Sequence, residues 1–454
     1  MGMRKISRLR FDALAGYCRD PRSAIYGEEV GWFEYGDARA LGLLLLDWTD
    51  QDYGGLVLQR DRKRRFRGTG MTGPFHLTRH RAEVDLRRAV EKAALSDDDG
   101  TQGDEAGQPV DFFTPRVAPE RFDVGFRSLL ELETWSSARG IIEPMMRWYE
   151  DVDGNFVEQF QTTGFDDRVW ELYLFAAFVE MGYRVDRTQA VPDFTCESLD
   201  HEICVEATTV GPTRIKGQIV PPPPRDTPEQ QRVFLREYMP IKYAGPLTAK
   251  LAKRYWERPN VTGKPLLLAI ADFHAPQSMT ASRSGLPVYL NGIDYTWHHD
   301  AEGRLRIHPF KIDQHEFNGK VVPSGFFNLP GSEHISAVVF SNSGTLPKFN
   351  RMGLLAGFGS PRVRMFRQGL AVDQDPNAAV PRPFLHAVHE AGYAETWCEG
   401  LEVHHNPRAL IPLPRHALPG AIHHRMRPDG QTVTTGPDWQ PLSSVTALTL
   451  DFDA

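Results

Sequence analysis

The sequence has few cysteines, no long apolar run and no excess of positive charge. Its four cysteines are scattered and lack CxxC spacing, which argues against a zinc knuckle or a disulfide framework and favours a reduced, cytoplasmic protein. The longest aliphatic run, Leu41 to Leu46, is far shorter than the roughly 20 residues of a membrane span, so we expect no membrane association. The basic N-terminal residues are not followed by the apolar stretch of a secretory signal.

The charge balance limits how the chain could bind nucleic acid. The formal net charge is −7, so the protein as a whole is not a polycation. Contact with nucleic acid would have to use local basic patches. One such patch on a β-rich N-terminal unit is the segment 60–67, which contains Arg62, Arg64, Arg65 and Arg67. It is a phosphate-binding face, a solvated hairpin rim, or an intramolecular partner for the acidic segment 97–105.

Several common catalytic motifs are absent. The chain contains no Walker loop, no HExxH and no Gly-x-Ser-x-Gly elbow. A polar Ser/Gly loop at 341–345 follows a predicted strand and precedes Lys348 and Arg351. This position predicts either a phosphate or nucleotide contact or an ordinary connecting turn.

Composition divides the chain into four regions. Residues 1–95 predict a small β-rich domain, and the Asp-, Gly- and Glu-rich stretch 96–110 predicts a flexible linker. Residues 111–375 alternate helical and strand patterns, in the order helix, three strands, helix, strand, which indicates an α/β layer with a mixed sheet flanked by helices. The Pro- and His-rich residues 376–454 predict an irregular C-terminal wrap.

A nearly all-apolar helix is predicted over 166–181, and it contains the acid Glu171. A helix that is apolar on every face is buried. A buried carboxylate costs several kcal/mol unless it is paired or ligates a metal. Glu171 is therefore either a site residue or the partner of Arg168 in a salt bridge.

Two further acids follow at hairpin spacing. Pro192 favours an extended backbone and places Asp193 at the edge of a strand. On the predicted strand 201–210, Ile203, Val205 and Ala207 face the core, and Glu206 faces the opposite side. A turn between the strands brings Asp193 and Glu206 together, and carboxylates are the ligands that Mg²⁺ and Mn²⁺ prefer.

This arrangement resembles the PD-(D/E)XK nuclease superfamily of restriction-type endonucleases. The resemblance covers about forty residues, 168–208, and implies a restriction-endonuclease-like core. By position, Glu171 matches the helix acid, Asp193 the motif aspartate and Glu206 the second acid, with metal held by Asp193 and Glu206. The family then has a lysine that orients or activates the attacking water, and here Thr208 stands at that position.

Threonine cannot supply a positive charge, so the departure at Thr208 leaves two readings open. In the first, a cation has migrated in from Lys216, Lys242, Lys250 or Lys253, and the protein is a Mg²⁺- or Mn²⁺-dependent endonuclease acting on DNA or RNA, in host defence or DNA processing. In the second, the fold is catalytically inactive and serves as a nucleic-acid-binding or interaction module. A homodimer is compatible with either reading, as is phosphate contact through Lys348 and Arg351.

Overall fold

The N-terminal unit is a five-stranded antiparallel sheet whose strands follow one another in chain order. The computed structural model describes residues 2–151 and 154–452. The elements of this unit are β1 (Met3–Lys5), α1 (Arg8–Ala15), β2 (Gly27–Tyr35), β3 (Ala40–Asp47), β4 (Tyr53–Arg60), β5 (Phe66–Met71) and α2 (Arg79–Leu95). Helix α2 buries Leu86 and Val90 on one sheet face, and α1 buries Phe11 and Leu14 on the other. The predicted small β-rich unit is confirmed.

The acidic segment 96–110 lies along this sheet. The amide of Gly100 donates to the carbonyl of Arg60 at 2.8 Å, and the Gln102 side chain donates to the carbonyl of Gly68 at 2.9 Å. Glu105 is buried and accepts hydrogen bonds from the amides of Gln102 and Gly103. These contacts tie to the N-terminal unit a stretch that composition alone predicted to be a flexible linker.

A helical layer leads into the central body. It consists of α3 (Val124–Glu131), α4 (Ser136–Met146), α5 (Phe156–Gln161) and α6 (Phe165–Glu180). Helix α6 matches the predicted helix to within one residue at each end, and nearly all its residues from Val169 to Phe178 are buried. The apolar character on every face of this helix therefore reflects its place inside the protein.

After α6 the chain forms β6 (Arg184–Asp186), β7 (Phe194–Glu197), β8 (Glu202–Val210), β9 (Arg214–Ile215), β10 (Gln218–Ile219), α7 (Pro228–Val233), α8 (Met239–Ala252) and β11 (Leu266–Asp272). The remaining elements are α9 (Gly285–Asn291), β12 (Ile293–His299), β13 (Leu305–Lys311), β14 (Gln314–Phe317), β15 (Lys320–Pro323), β16 (Ala337–Ser341), α10 (Leu346–Leu355), β17 (Val363–Ala371), β18 (Arg382–Ala387), β19 (Leu401–His405), β20 (Ile422–Met426), β21 (Thr432–Thr435) and β22 (Pro441–Leu450).

The central sheet has eight strands and is mixed, in the spatial order β21-β20-β19-β16-β11-β8-β7-β6. Strand β11 is parallel to both β8 and β16, whereas β6, β7 and β8 form an antiparallel meander.

Hydrophobic cores cover both faces of this sheet. Alternate residues of β11, Leu267 and Ala269 among them, pack on the α6 side, while Leu268 and Ile270 pack on the α8 side. Every residue of β11 is buried, as its continuous apolar run predicts. The mixed α/β architecture predicted for the central region is confirmed.

The helical spacing of Leu247, Leu251 and Tyr255 predicts a helix over about 246–257, and α8 differs from this range. It begins at Met239, after a π-helical turn over Phe234–Tyr238, and ends at Ala252. The left-handed backbone of Arg254, with φ of 51°, ends the helix, so Tyr255 lies in a separate short turn.

The C-terminal region 376–454 is not an irregular wrap. Strands β19, β20 and β21 extend the central sheet beyond β16, and β18 and β22 flank β17 in a three-stranded antiparallel sheet. The prediction was wrong because β19 and β20 carry ionisable residues where a buried strand usually has an apolar run, and because Pro and Gly are concentrated in the loops between the strands.

Disulfide bonds and membrane-spanning helices are the two features that the sequence argues against. The four cysteines, all in the described part of the chain, are free thiols. Within residues 2–151 and 154–452, no helix combines the length and the apolar character needed to cross a membrane.

Candidate active site

Glu171 is buried on α6 and is fully engaged. Its Oε2 accepts the hydroxyl of Tyr149 at 2.6 Å and lies 3.5 Å from Arg187 Nη2, while its Oε1 accepts Arg168 Nη1 at 2.5 Å. Burial, together with the charge of Glu171, raises the pKa of Tyr149 well above its usual value, so this hydroxyl stays a donor. The salt bridge to Arg168, one of the two readings of the sequence, is therefore present.

Asp193 directly precedes β7 and faces the next strand. Its Oδ2 accepts the amide of Ala207 on β8 at 2.7 Å, which fixes the direction of the carboxylate. Burial, reinforced by the negative charges of Glu206 and Glu171, raises the pKa of Asp193 from 3.8 to about 7. Asp193 is thus a carboxyl group that changes charge near neutral pH and lies within electrostatic range of both other acids.

Glu206 lies on β8 and points toward α8, on the face that the strand alternation predicts. Its Oε1 accepts Lys250 Nζ at 2.5 Å and the Tyr255 hydroxyl at 2.8 Å. Its Oε2 is buried and has no hydrogen-bond partner among the described residues. A buried carboxylate oxygen without a donor is costly, and a bound cation would remove that cost.

Of the four lysines that the sequence offers as a replacement cation, Lys250 is the one in contact with Glu206. The other three candidates are elsewhere: Lys242 donates to the carbonyl of Gly211 at 2.8 Å, and Lys216 and Lys253 are exposed. Lys250 comes from α8, 44 positions along the chain from Glu206. Sequence reasoning named Lys250 as one of four candidates without selecting it.

A cavity of about 280 Å³ lies beside these groups, and its lining includes Glu171, Asp193, Thr208 and Lys250 but not Glu206. Thr208 is half-buried and contributes a neutral wall rather than a charge. The structure therefore brings Glu171, Asp193 and Thr208 to one pocket, and Glu206 contacts Lys250, which α8 contributes to the lining.

The three acids are not equivalent. Glu171 belongs to the α6 side of the sheet and Glu206 to the α8 side, and after burial the charges of both raise the pKa of Asp193. In the described part of the chain, they do not form a group whose ligand atoms all lie within 4.8 Å of one another. Asp193 and Glu206 are consequently the better metal ligands, because Glu171 is already neutralised by arginine.

The basic segment on the N-terminal unit is largely paired with acids. Arg67 Nη1 lies 3.0 Å from Asp104 Oδ1, and Arg65 Nε donates to Asp61 Oδ2 at 2.8 Å. Pairing with the acidic segment 97–105 thus accounts for Arg67, whereas Arg65 pairs with an acid of its own hairpin. Arg62 and Arg64 are exposed, although Arg62 lies 3.7 Å from a carboxylate oxygen of the buried Glu105.

Lys348 and Arg351 are not available for contact with phosphate or nucleotide. Both are buried on α10 and are neutralised by Glu395, at 2.7 Å from Lys348 Nζ and 2.8 Å from Arg351 Nε. Ser341, Asn342 and Ser343 in the preceding loop are buried as well. The prediction of a phosphate or nucleotide contact here is wrong, because Lys348 and Arg351 form a buried ion cluster with Glu395.

In comparisons with known proteins, no family model, no curated protein and no solved structure matches this chain.

Proposed function

We propose that this protein is a metal-dependent nuclease that hydrolyses phosphodiester bonds in DNA or RNA, with a restriction-endonuclease-like core. The observation that carries the proposal is the contact of 2.5 Å between Lys250 Nζ and Glu206 Oε1. It places a cation beside the second acid. The sequence motif lacks this cation, because Thr208 stands at the position where the family has lysine.

The order of elements supports the proposed core. Helix α6 carries Glu171, the meander β6–β7–β8 carries Asp193 at its turn and Glu206 on its last strand, and α8 and β11 complete the layer. This is the succession of helix, three strands, helix and strand that the sequence patterns of residues 111–375 predict.

Asp193 and Glu206 would hold the metal. The fit rests on two features of these residues: the partnerless Oε2 of Glu206, and the pKa of Asp193, which burial and then the charges of Glu206 and Glu171 raise. When bound, Mg²⁺ or Mn²⁺ supplies an activated water and stabilises the charge that develops on the phosphate.

The remaining residues orient the acids and balance their charge. The Ala207 amide directs the Asp193 carboxylate, and the Tyr255 hydroxyl with Lys250 holds Glu206 in one orientation. Lys250 is one-fifth exposed, so its ammonium is available to the cavity as well as to Glu206. A lysine so placed can hydrogen-bond a water or a phosphate oxygen bound there.

The direct test is cleavage of plasmid DNA and of RNA with Mg²⁺ or Mn²⁺. We expect Asp193→Ala, Glu206→Ala and Lys250→Ala to lose at least about 100-fold in rate, as removal of a metal ligand or electrostatic group does. Lys253→Ala is the matched control, because Lys253 directly follows the same helix and is exposed. The proposal is wrong if wild type leaves both substrates intact, or if the Asp193 variant cleaves at the wild-type rate.

A second candidate function is a catalytically silent nucleic-acid-binding module. The neutralisation of Glu171 by Arg168 favours it, because the helix acid is then structural. This candidate predicts that wild type binds nucleic acid in Mg²⁺ without cleaving it, and that Asp193→Ala binds equally well. Titration of Mg²⁺ by calorimetry separates the two candidates, since the silent module requires no metal.

A further inference from the structure

A second group of metal-ligand side chains lies on the central sheet, away from the carboxylate pocket. Glu402 and His404 are two residues apart on β19 and therefore share a face, and His424 lies directly opposite His404 on the parallel strand β20. The other face of β19 carries Leu401 and Val403, which pack in the α6-side core. The three polar side chains thus converge on the α8 side by strand geometry alone.

We propose that Glu402, His404 and His424 form a Zn²⁺ site that is independent of the nuclease proposal. One ligand atom from each residue can be chosen so that all three lie within 4.8 Å of one another. His424 Nε2 is 3.1 Å from Glu402 Oε2, and His404 Nε2 is 3.7 Å from the same oxygen. Ligands about 2.1 Å from a tetrahedral zinc ion are separated by about 3.4 Å, so these two distances bracket the required spacing.

His404 supplies the feature that points to a ligand. The residue is only 4% exposed, and its Nε2 has no hydrogen-bond partner in the part of the chain that the structure describes. A buried imidazole nitrogen normally has a partner, because leaving it unsatisfied costs about 1–3 kcal/mol. A metal ion between His404, Glu402 and His424 would satisfy it.

Neighbouring groups hold two of these ligands as a metal site requires. His424 Nδ1 lies 2.9 Å from Thr434 Oγ1, a contact that leaves Nε2 free for a metal when Nδ1 donates. Arg283 donates to Glu402 Oε1 and leaves Oε2 toward the histidines. Outer hydrogen bonds of this kind fix the tautomer and orientation of zinc ligands.

The chemistry of the ligand set selects zinc over magnesium. Two imidazole nitrogens and one carboxylate are typical ligands of Zn²⁺, whereas Mg²⁺ prefers oxygen donors alone. A cavity of about 160 Å³ opens beside the cluster and is lined by Tyr295 and Asn291 as well. The cavity leaves room for water as a fourth ligand.

A more exposed cluster provides the control. Asp200, His201 and His416 also meet the distance criterion for a metal site. However, both ring nitrogens of His201 are engaged, with Asp200 at 2.7 Å and the Tyr183 hydroxyl at 2.8 Å. His416 is mostly exposed, so its removal tests for adventitious surface zinc.

The test is titration of the metal-free full-length chain with Zn²⁺ by calorimetry, and with Co²⁺ by visible absorption. We expect one tight site in wild type and in His416→Gln, with at least about 100-fold weaker binding in His404→Gln and His424→Gln. Cobalt should give intense visible bands of a four-coordinate ion in wild type. Thermal unfolding of each metal-free variant verifies that it is folded.

The outcomes discriminate sharply. Tight zinc that survives both His404→Gln and His424→Gln, or that is lost in His416→Gln alone, overturns the proposal. Absence of tight zinc in folded wild type also overturns it. If wild type binds zinc as expected but cleaves neither DNA nor RNA, only the nuclease proposal fails.

Discussion

Replacing Asp193 with asparagine removes a carboxyl group whose ionisation the folded state disfavours. The substitution keeps the size of the side chain and an oxygen that can accept the Ala207 amide. Because burial and the neighbouring carboxylates raise the pKa of Asp193 from 3.8 to about 7, ionising it costs the folded state free energy. We therefore expect Asp193→Asn to be more stable than wild type above neutral pH.

The sign and size follow from proton linkage. Between its unfolded pKa of 3.8 and its folded pKa of about 7, the folded protein holds a proton that the unfolded chain releases, so the wild-type free energy of unfolding falls as pH rises through this window. The rise of the pKa from 3.8 to about 7, at 1.36 kcal/mol per pH unit, gives an upper bound of about 4 kcal/mol for the loss in free energy of unfolding. Asp193 is only partly buried and opens to the cavity, so we expect about 2 kcal/mol.

The assay is urea unfolding at about pH 5 and about pH 8, with and without Mg²⁺. Asparagine should stabilise the protein more at the higher pH, and Mg²⁺ should stabilise wild type but not the variant. Asp186→Asn is the control, because Asp186 is exposed on β6 and should give the same small effect at both pH values. A variant less stable than wild type at the higher pH, or stabilised by Mg²⁺ as wild type is, refutes this reasoning.

Three further predictions test other parts of the structure. Lys250→Met should lower the free energy of unfolding by about 2 kcal/mol, whereas Lys253→Met should change it little, because only Lys250 neutralises a buried carboxylate; urea unfolding measures both. Glu395→Gln should cost about 3–5 kcal/mol in the same assay, and the wild-type contribution should fade in acid because neighbouring cations overcome burial and hold the pKa of Glu395 well below its usual value. Arg67→Gln should speed amide hydrogen exchange across 96–110, because it removes the ion pair with Asp104.

Much of the candidate site could be predicted from local patterns. The apolar faces of α6 place Glu171 in the interior, and period-2 alternation on β8 assigns Glu206 to the side opposite Val205. These inferences succeed because burial and strand geometry are fixed within a few residues of the group concerned. They do not depend on how distant segments pack.

The identity of the lysine could not be predicted with the same confidence. Lys250 lies seven residues after Tyr243 and three after Leu247, and both are buried in the α8-side core, so helical spacing places Lys250 beside the packed face. That signal distinguishes it from Lys253 only once the end of the helix at Ala252 is known. The contact with Glu206 depends on how α8 lies against the sheet, which no local pattern encodes.

The strands of the C-terminal region were missed for a related reason. β19 has the sequence Leu-Glu-Val-His-His, so its face on the α8 side carries Glu402 and His404 instead of apolar side chains. A buried strand is normally recognised by its apolar run, and ionisable residues in that position look like a loop. Where local rules fail in this way, functional sites are expected.

Two buried carboxylates outside the candidate site show how this fold balances acids in its interior. Glu34 receives Arg4 on Oε1 and Arg10 on Oε2, and Glu395 receives Lys348 on Oε1 and the Tyr393 hydroxyl on Oε2. Each of these buried acids has both oxygens satisfied, as acids that serve only stability must.

Asp193 and Glu206 break this pattern. The ammonium of Lys250 is in direct contact with Glu206, yet one oxygen of that carboxylate remains without a partner among the described residues, and the pKa of Asp193 is raised rather than lowered. The partnerless oxygen of Glu206 and the raised pKa of Asp193 are the physical reasons to expect a divalent cation between Asp193 and Glu206.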